Sequence, residues 1–418
     1  MRILKWGIYV LIFCLPLYLV RFEIFNIPTT LLEIMIYALF VLWLVGGFNF
    51  ENFKRTVKEN RLLFVAIFLI FLGASLATLH SWDLRLSAGI WKAWFVDPLL
   101  FFLVFISVIK SPKDLKNGFY SLILSGFFVS LVALVYLFFG KLDPEGRLQG
   151  FYNSPNYLAM YLAPITVVVL GFFAQIIYTK TRVGAPASRR APSRPRPDHA
   201  LGLRRVFLVN NLRPIFLILN SSLLILILFS TRSFGAWIGI LGAIGLGLII
   251  WFWSIKKKKT AVISAFLLLV LCIAIYFVKF NTIAGKLSIG TRMEIWQRAI
   301  NAVQIYPVIG IGPGTFKDFF PDNASWQIPQ PHNLYLAFLL QTGVVGFIGL
   351  FLLLFWFFKT GIKNQKSEII NIITISVMAY ILIHGLVDTT YWKNDLAIVF
   401  WMVIAAMLAS KQSLISEL

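Results

Sequence analysis

The residues best suited to chemistry in this sequence are few, and they fall in recognisable settings. His332 stands in PQPHNLYLAF and is followed by Asn333. Arg232 sits in STRSFGAW, a very tight turn between two apolar segments, and Arg292 in GTRMEIWQRAI. Arg147 and Asn156 belong to GRLQGFYNSPNYLA, and His384 and Asp388 lie four residues apart, a spacing that puts them on one helix face. A neutral imidazole accepts a proton from an attacking hydroxyl near neutral pH. The planar fork of arginine matches phosphate oxygens and stays charged when partly desolvated. This inventory of fixed cations, one titratable base and a carboxylate suits a reaction in which a hydroxyl attacks and a diphosphate leaves.

Each residue also has a plainer reading. Arg147 and Arg292 could snorkel to lipid headgroups. Arg232 is harder to explain that way, since so short a turn holds its charge close to hydrocarbon. Asp388 could pair with His384 or Lys393, and Glu294 with Arg298 reads as a surface i,i+4 bridge. Within an apolar segment, Lys92 can snorkel outward whereas Asp97 lies deeper. Other chemistries lack their motifs. There is no Walker A sequence, no H-E-x-x-H and no Cys/His cluster for zinc. GIGPG at Gly310–Gly314 lacks dinucleotide-loop spacing and a preceding strand, so it reads as a turn. No acidic pair of a metal-dependent sugar transferase is evident, which favours chemistry without metal or other cofactor. Cys14 and Cys272 fall inside apolar spans and read as packing residues.

The elements that must position these residues are membrane helices. Apolar residues make up 59% of the chain and charged residues 13%, with a mean hydropathy of +0.83, which excludes an ordinary soluble domain. An all-α, polytopic bundle of about 12 spans is expected, each needing about 20 apolar residues. The predicted spans are Trp6–Val20, Pro28–Gly47, Leu62–Leu79, Gly89–Ile109, Phe119–Phe139, Tyr157–Tyr178, Pro214–Ser230, Phe234–Trp253, Ala261–Val278, Leu334–Phe358, Ile369–Val387 and Leu396–Ala409. The first follows Arg2 and Lys5 with no small-residue cleavage site, and reads as a signal anchor.

The net charge of +21 does not indicate nucleic acid, because the cations sit in short loops between apolar spans. Alternate loops hold 26 and 11 Lys and Arg residues. By the positive-inside rule the richer set is cytoplasmic, with both termini inside. The candidate residues then gather on the extracytoplasmic, periplasmic face of a cytoplasmic (inner) membrane, among membrane lipids.

Two loops are long. Thr179–Arg213 is rich in Pro, Arg and Ala and reads as a disordered basic cytoplasmic linker. Lys279–His332 is expected outside and structured. Thr291 and Glu294 form a capping box opening a short amphipathic helix with Trp296, Ala299, Ile300 and Val303 as its apolar stripe, ended by Pro307. The expected organisation is spans 1–5 over 1–140, an outer loop, span 6 and linker over 141–213, a conserved region with spans 7–10 and outer loop 279–332 over 214–358, and two final spans over 359–418.

These pieces resemble a known family. His332-Asn333, nine residues, then Gly343-Val344-Val345-Gly346 fits H-[NSQ]-x9-G-x-x-G, the pattern of the bacterial O-antigen ligase and O-antigen polymerase superfamily. STRSFGAWIGI is similar to that family's Ser-Arg turn, GTRMEIWQRAI with PVIGIGPGTF to its large extracytoplasmic loop, and GRLQGFYNSPNYLA to its G-R-x-x-G-x-x-x-N-P-N element. Four elements in one order, from Arg147 to Gly346, are more specific than any alone. The resemblance implies a metal-independent inverting glycosyl transferase. Its donor would be a glycan on undecaprenyl diphosphate, and its acceptor a hydroxyl on lipid A core, a glycan or a protein. It assigns His332 as general base and Arg232 and Arg292, with Arg147 less directly, to the diphosphate. Asp388, His384, Asn333 and Asn156 would support them. A polymerase, a protein O-oligosaccharyltransferase and, from a different class, a lipid-linked glycan flippase or transporter remain alternatives.

Overall fold

The computed structural model describes residues 1–183, 199–255, 257–280, 283–320, 328–363 and 369–416. Helix α1 (Arg2–Phe13) passes through a 3-10 turn (Leu15–Leu19) into an antiparallel hairpin of β1 (Arg21–Ile24) and β2 (Ile27–Thr30). The hairpin departs from the all-α expectation. Its two turn residues, Phe25 and Asn26, have φ of 50° and 61°, and a two-residue turn with both centres left-handed matches the twist of paired strands. Thr30 and Glu33 form a reciprocal capping box at the start of α2 (Leu31–Gly46), which bends by 110° into α3 (Phe50–Glu59).

The chain continues with α4 (Arg61–Leu79), α5 (Leu84–Trp91), a π-helical turn (Lys92–Val96), α6 (Asp97–Val108) and α7 (Pro112–Phe138). It then forms α8 (Pro155–Val183), α9 (His199–Thr231), α10 (Phe234–Ser254), α11 (Lys258–Phe280) and α12 (Ile283–Ile305). A 3-10 turn (Thr315–Phe319) precedes α13 (Leu334–Lys363), α14 (Ile369–His384) and α15 (Asn394–Ser416). Of the expected basic linker, residues 184–198 lie outside the described residues, while its described ends continue α8 and α9 as helix.

Among the described residues, eight helices are long and apolar enough to cross a membrane, or nine if the bent α2–α3 pair counts as one span. The chain is an integral membrane protein. The expected fourth span is longer than its hydropathy suggested, running through the π turn as Leu84–Val108. The expected eleventh is a shorter apolar helix, Ile369–His384.

Two compact units divide the chain, one of Met1–Ser125 with Phe234–Leu418, the other Gly126–Ser233. In the first, α4 and α13 approach almost backbone to backbone. A Cβ on Gly73 would strike the Gly346 amide nitrogen and the Thr342 carbonyl, and one on Gly349 would meet the Ala66 carbonyl at 2.9 Å. Small residues permit this proximity, the usual way membrane helices gain packing contacts without a hydrophobic driving force. Helix α10 likewise turns Gly235, Gly239 and Gly242 toward His384, Tyr380 and Ile383 of α14. In the second unit, Gly126 makes room for Ile165, and the Phe127 and Phe216 rings meet at 5.5 Å between centroids.

The expected short helix is part of a longer one. Helix α12 begins at Ile283, so Thr291 lies inside it rather than at its cap, and Glu294 bonds Arg298 at 3.0 Å as the i,i+4 pair. The preceding residues include good helix formers, which lets the helix run back past the capping motif. Its buried stripe is also displaced: Ile295, Ala299 and Ala302 are enclosed, with Val303 beside them, while Ile300 is exposed. These residues make a small core with Ile311, Phe316, Phe320 and Leu340, which fastens the 283–320 segment to the first turns of α13.

Candidate functional site

Everything about His332 follows from the start of α13. Asn333 caps this helix, its Oδ1 accepting from the amides of Tyr335 and Leu336 at 3.0 Å. His332, just ahead of the cap, has φ of 47°, a left-handed conformation uncommon outside glycine. Its Nδ1 lies 3.0 Å from Asp388 Oδ1. Asp388 follows the end of α14 in the turn 385–388, so its carboxylate is not aligned with His384 along a regular helix, and it meets His332 rather than Lys393.

The 385–388 turn is held at every residue by groups distant in sequence. Leu334 N donates to Gly385 O at 2.7 Å, Asn333 Nδ2 to Leu386 O at 2.9 Å and Arg292 Nε to Val387 O at 3.0 Å. Asp388 itself takes the His332 imidazole and the Thr389 amide, the latter at 2.9 Å. His332, Asn333, Arg292 and Asp388 thus converge, as their types suggested. Below the turn, Phe338 packs on Trp392 and Tyr391 at 5.1 and 5.0 Å, giving the loop an aromatic floor.

Electrostatics fix the tautomer. Burial raises the Asp388 carboxyl, but the hydrogen bond and charge of His332, with His384 and Arg292 nearby, outweigh it and hold the group well below the usual carboxylate range. An ionised carboxylate only accepts, so Nδ1 carries the proton and Nε2 presents a lone pair. The His332 side chain is 30% exposed and that of Asp388 only 3%, so the base faces outward from a buried anchor. Nε2 has no hydrogen-bond partner among the described residues.

His384 takes a different place. It is buried, its Nδ1 2.6 Å from the Tyr380 hydroxyl, with its ring against Gly235. It supports the α10–α14 contact and contributes charge at a distance. Sequence reasoning missed Tyr380, although its four-residue spacing from His384 was a usable signal. It also missed Gln341, buried, which accepts from the Gly314 amide at 3.0 Å and donates to Gln330 at 2.6 Å, two residues before His332. No motif pointed to that pair.

The second unit carries the other candidates. Asp143 and Arg147 close a turn through the Arg147 amide to Asp143 Oδ1 at 2.7 Å. The Arg147 guanidinium donates to Asn156 Oδ1 at 2.6 Å and to Thr231 O at 3.0 Å, and lies 3.6 Å from Glu145 Oε2. Leu148 N adds a bond to Ser230 O at 2.9 Å. Arg147 and Asn156 therefore tie the 143–156 segment to the end of α9. Arg232, exposed and at φ of 50°, makes one long bond to Glu145 O at 3.3 Å. In this cluster Arg147 is committed to structure and Arg232 presents its charge.

The match to known proteins agrees with this layout. A family description given as "Wzy_C: O-Antigen ligase" matches residues 219–352, a stretch that includes Arg232, Arg292, His332 and the Gly343–Gly346 pair. No curated protein sequence matches the chain. Residues 219–352 thus carry an O-antigen ligase domain, and the chain is an integral membrane protein of the O-antigen ligase and polymerase type.

Proposed function

We propose that the protein transfers a glycan from a polyprenyl diphosphate carrier to an acceptor hydroxyl at the outer face of the cytoplasmic membrane, as an O-antigen ligase. The observation that carries this reading is the His332–Asp388 pair, with Nδ1 anchored at 3.0 Å on a buried carboxylate and Nε2 facing outward. In the proposed step the acceptor hydroxyl attacks the anomeric carbon opposite the leaving group. Its proton passes to His332 Nε2, and the carbon–oxygen bond to the diphosphate breaks as the new glycosidic bond forms. Asp388 orients the imidazole and stabilises the imidazolium that results. Guanidinium charge on Arg232 and on Arg292 balances that developing on the departing diphosphate, and Arg147 with Asn156 shapes the segment beside Arg232.

The test is genetic and chemical. Deleting the gene and analysing surface glycans distinguishes the acceptor. Full-length polymer stranded on its carrier supports the ligase reading, whereas single repeat units show a polymerase. Complementing the deletion with His332→Ala should fail at wild-type protein level, and restored transfer would remove His332 from the chemistry.

A further inference from the structure

Far along the chain from His332, α2, the π turn and α6 gather a second set of ionisable groups. Lys92 Nζ lies 2.7 Å from Glu33 Oε2 and donates to Pro28 O at 3.0 Å. The second Glu33 oxygen accepts weakly from Asn394 Nδ2 at 3.4 Å, and Trp94 Nε1 donates to Asn394 Oδ1 at 3.2 Å. Glu33 is therefore a neutralised, fully engaged carboxylate. Asp97 is not. It closes the π turn, is 1% exposed, and neither of its carboxyl oxygens makes a hydrogen bond among the described residues. Its electrostatic neighbours are Glu33 and Tyr37 of α2 and Lys92 of its own segment. From α15, which also packs here, Asn394 faces Glu33.

A buried carboxylate with no partner is strongly disfavoured in a low-dielectric interior, and the only cation nearby already belongs to Glu33. The remaining way to satisfy Asp97 is to neutralise it. π turns inside helices are rare and concentrate at functional positions, and this one aims an otherwise unexplained acid at an ion pair. We propose that Asp97, with Tyr37 and the Glu33–Lys92 pair, forms a membrane-embedded proton-binding site, its ligand a proton held on the Asp97 carboxyl. Loaded, the cluster is neutral overall. Unloaded, it carries one net negative charge at the hinge between α5 and α6, so the site exchanges its proton toward higher pH. Nothing in it depends on glycan transfer.

Infrared difference spectroscopy on the full chain in lipid nanodiscs tests this directly, wild type against Asp97→Asn at near-neutral pH. The expected result is a protonated-carboxyl C=O band present in wild type, absent in D97N and restored in shifted form in Asp97→Glu. Only carboxylate bands in the difference would overturn the proposal. Dicyclohexylcarbodiimide gives a second readout, because it adds to protonated carboxyls shielded from water and rearranges to a stable N-acylurea. Labelling should fall on Asp97 and spare Glu33, and should decline as pH rises. Labelling of Glu33 in place of Asp97 would assign the proton to the wrong acid and end the proposal.

Discussion

Two of the four non-glycine residues with positive φ among those described are Arg232 and His332. Such backbone costs on the order of 1–3 kcal/mol each and persists where surrounding structure enforces it, often at functional sites. His332 is enforced by the Asn333 cap on one side and the Asp388 bond on the other. Asp388→Asn should keep the turn but release the tautomer, since an amide can donate as well as accept. Transfer should fall by roughly 10²–10⁴-fold with little change in protein level; near-wild-type transfer would make Asp388 merely structural. The carboxyl lies below its ordinary value, so its stabilising effect is complete above about pH 4 and is lost only as pH falls through the depressed value. Acidification from neutrality to about pH 5 therefore leaves Asp388 ionised. Loss of transfer in that window should accordingly track proton uptake elsewhere, on the base itself, and should occur without loss of folded protein in a thermal-shift assay. For the arginines, charge-preserving Arg232→Lys and Arg292→Lys should still reduce transfer, because a point charge cannot reproduce the bidentate fork. Unimpaired lysine variants would favour contact with lipid headgroups. The types of these residues were legible in the sequence, whereas the pairing of His332 with Asp388 across 56 positions was not, since no local spacing encodes it.

At the scale of elements, the H-N-x9-G-x-x-G pattern acquires a physical meaning. Asn333 is a helix cap, and Gly343 is a break inside α13, with φ of 62° and ψ of −175°. At that break Val344 N reaches out to Pro307 O at 3.2 Å, and the Leu340 carbonyl accepts from Ile311 N at 2.9 Å, so the 307–311 loop plugs the interrupted helix. A Cβ on Gly343 would run into the Val308 carbonyl, and one on Gly310 would lie 2.7 Å from the Gly343 nitrogen. Gly343→Ala should therefore destabilise by about 1–3 kcal/mol through strain and lost closure. The measurable result is a lower melting temperature and reduced transfer, with Gly346→Ala disturbing the α4 contact instead. An alanine variant at 343 as stable as wild type would refute the plug. Sequence reading placed the ends of α4, α10 and α13 closely, because long apolar runs are their own signal. It misplaced the start of α12, where a real capping motif was overridden by continued helix formers, and it passed over the hairpin, whose strands are four residues each and lie between apolar runs.

For the whole molecule, the decisive question is which side of the membrane His332 faces, and the loop charges give a specific answer. Twenty-six of the 38 Lys and Arg residues fall in one set of alternate loops. That asymmetry orients a chain during insertion irrespective of whether a given apolar helix spans fully or partly. Eight or nine helices meet the span criterion where about twelve were expected, and the difference falls on the short elements α1, α2 and α14 and on α11. An even number of crossings is needed to bring both termini to the same side, so the short helices must cross, packed inside the bundle, for the charge rule to hold throughout. Single cysteines in a background lacking Cys14 and Cys272 decide this. Exposed positions Lys58 and Lys257 should react with a membrane-impermeant maleimide only after permeabilisation, and exposed Gln304 on α12 in intact cells. If Gln304→Cys were shielded until the cells were opened, His332 would face the cytoplasm and an outer-face transfer would be untenable. If Gln304 reacted as expected but Lys257 did too, the fault would lie in the crossings between α10 and α12, and the site would keep its face.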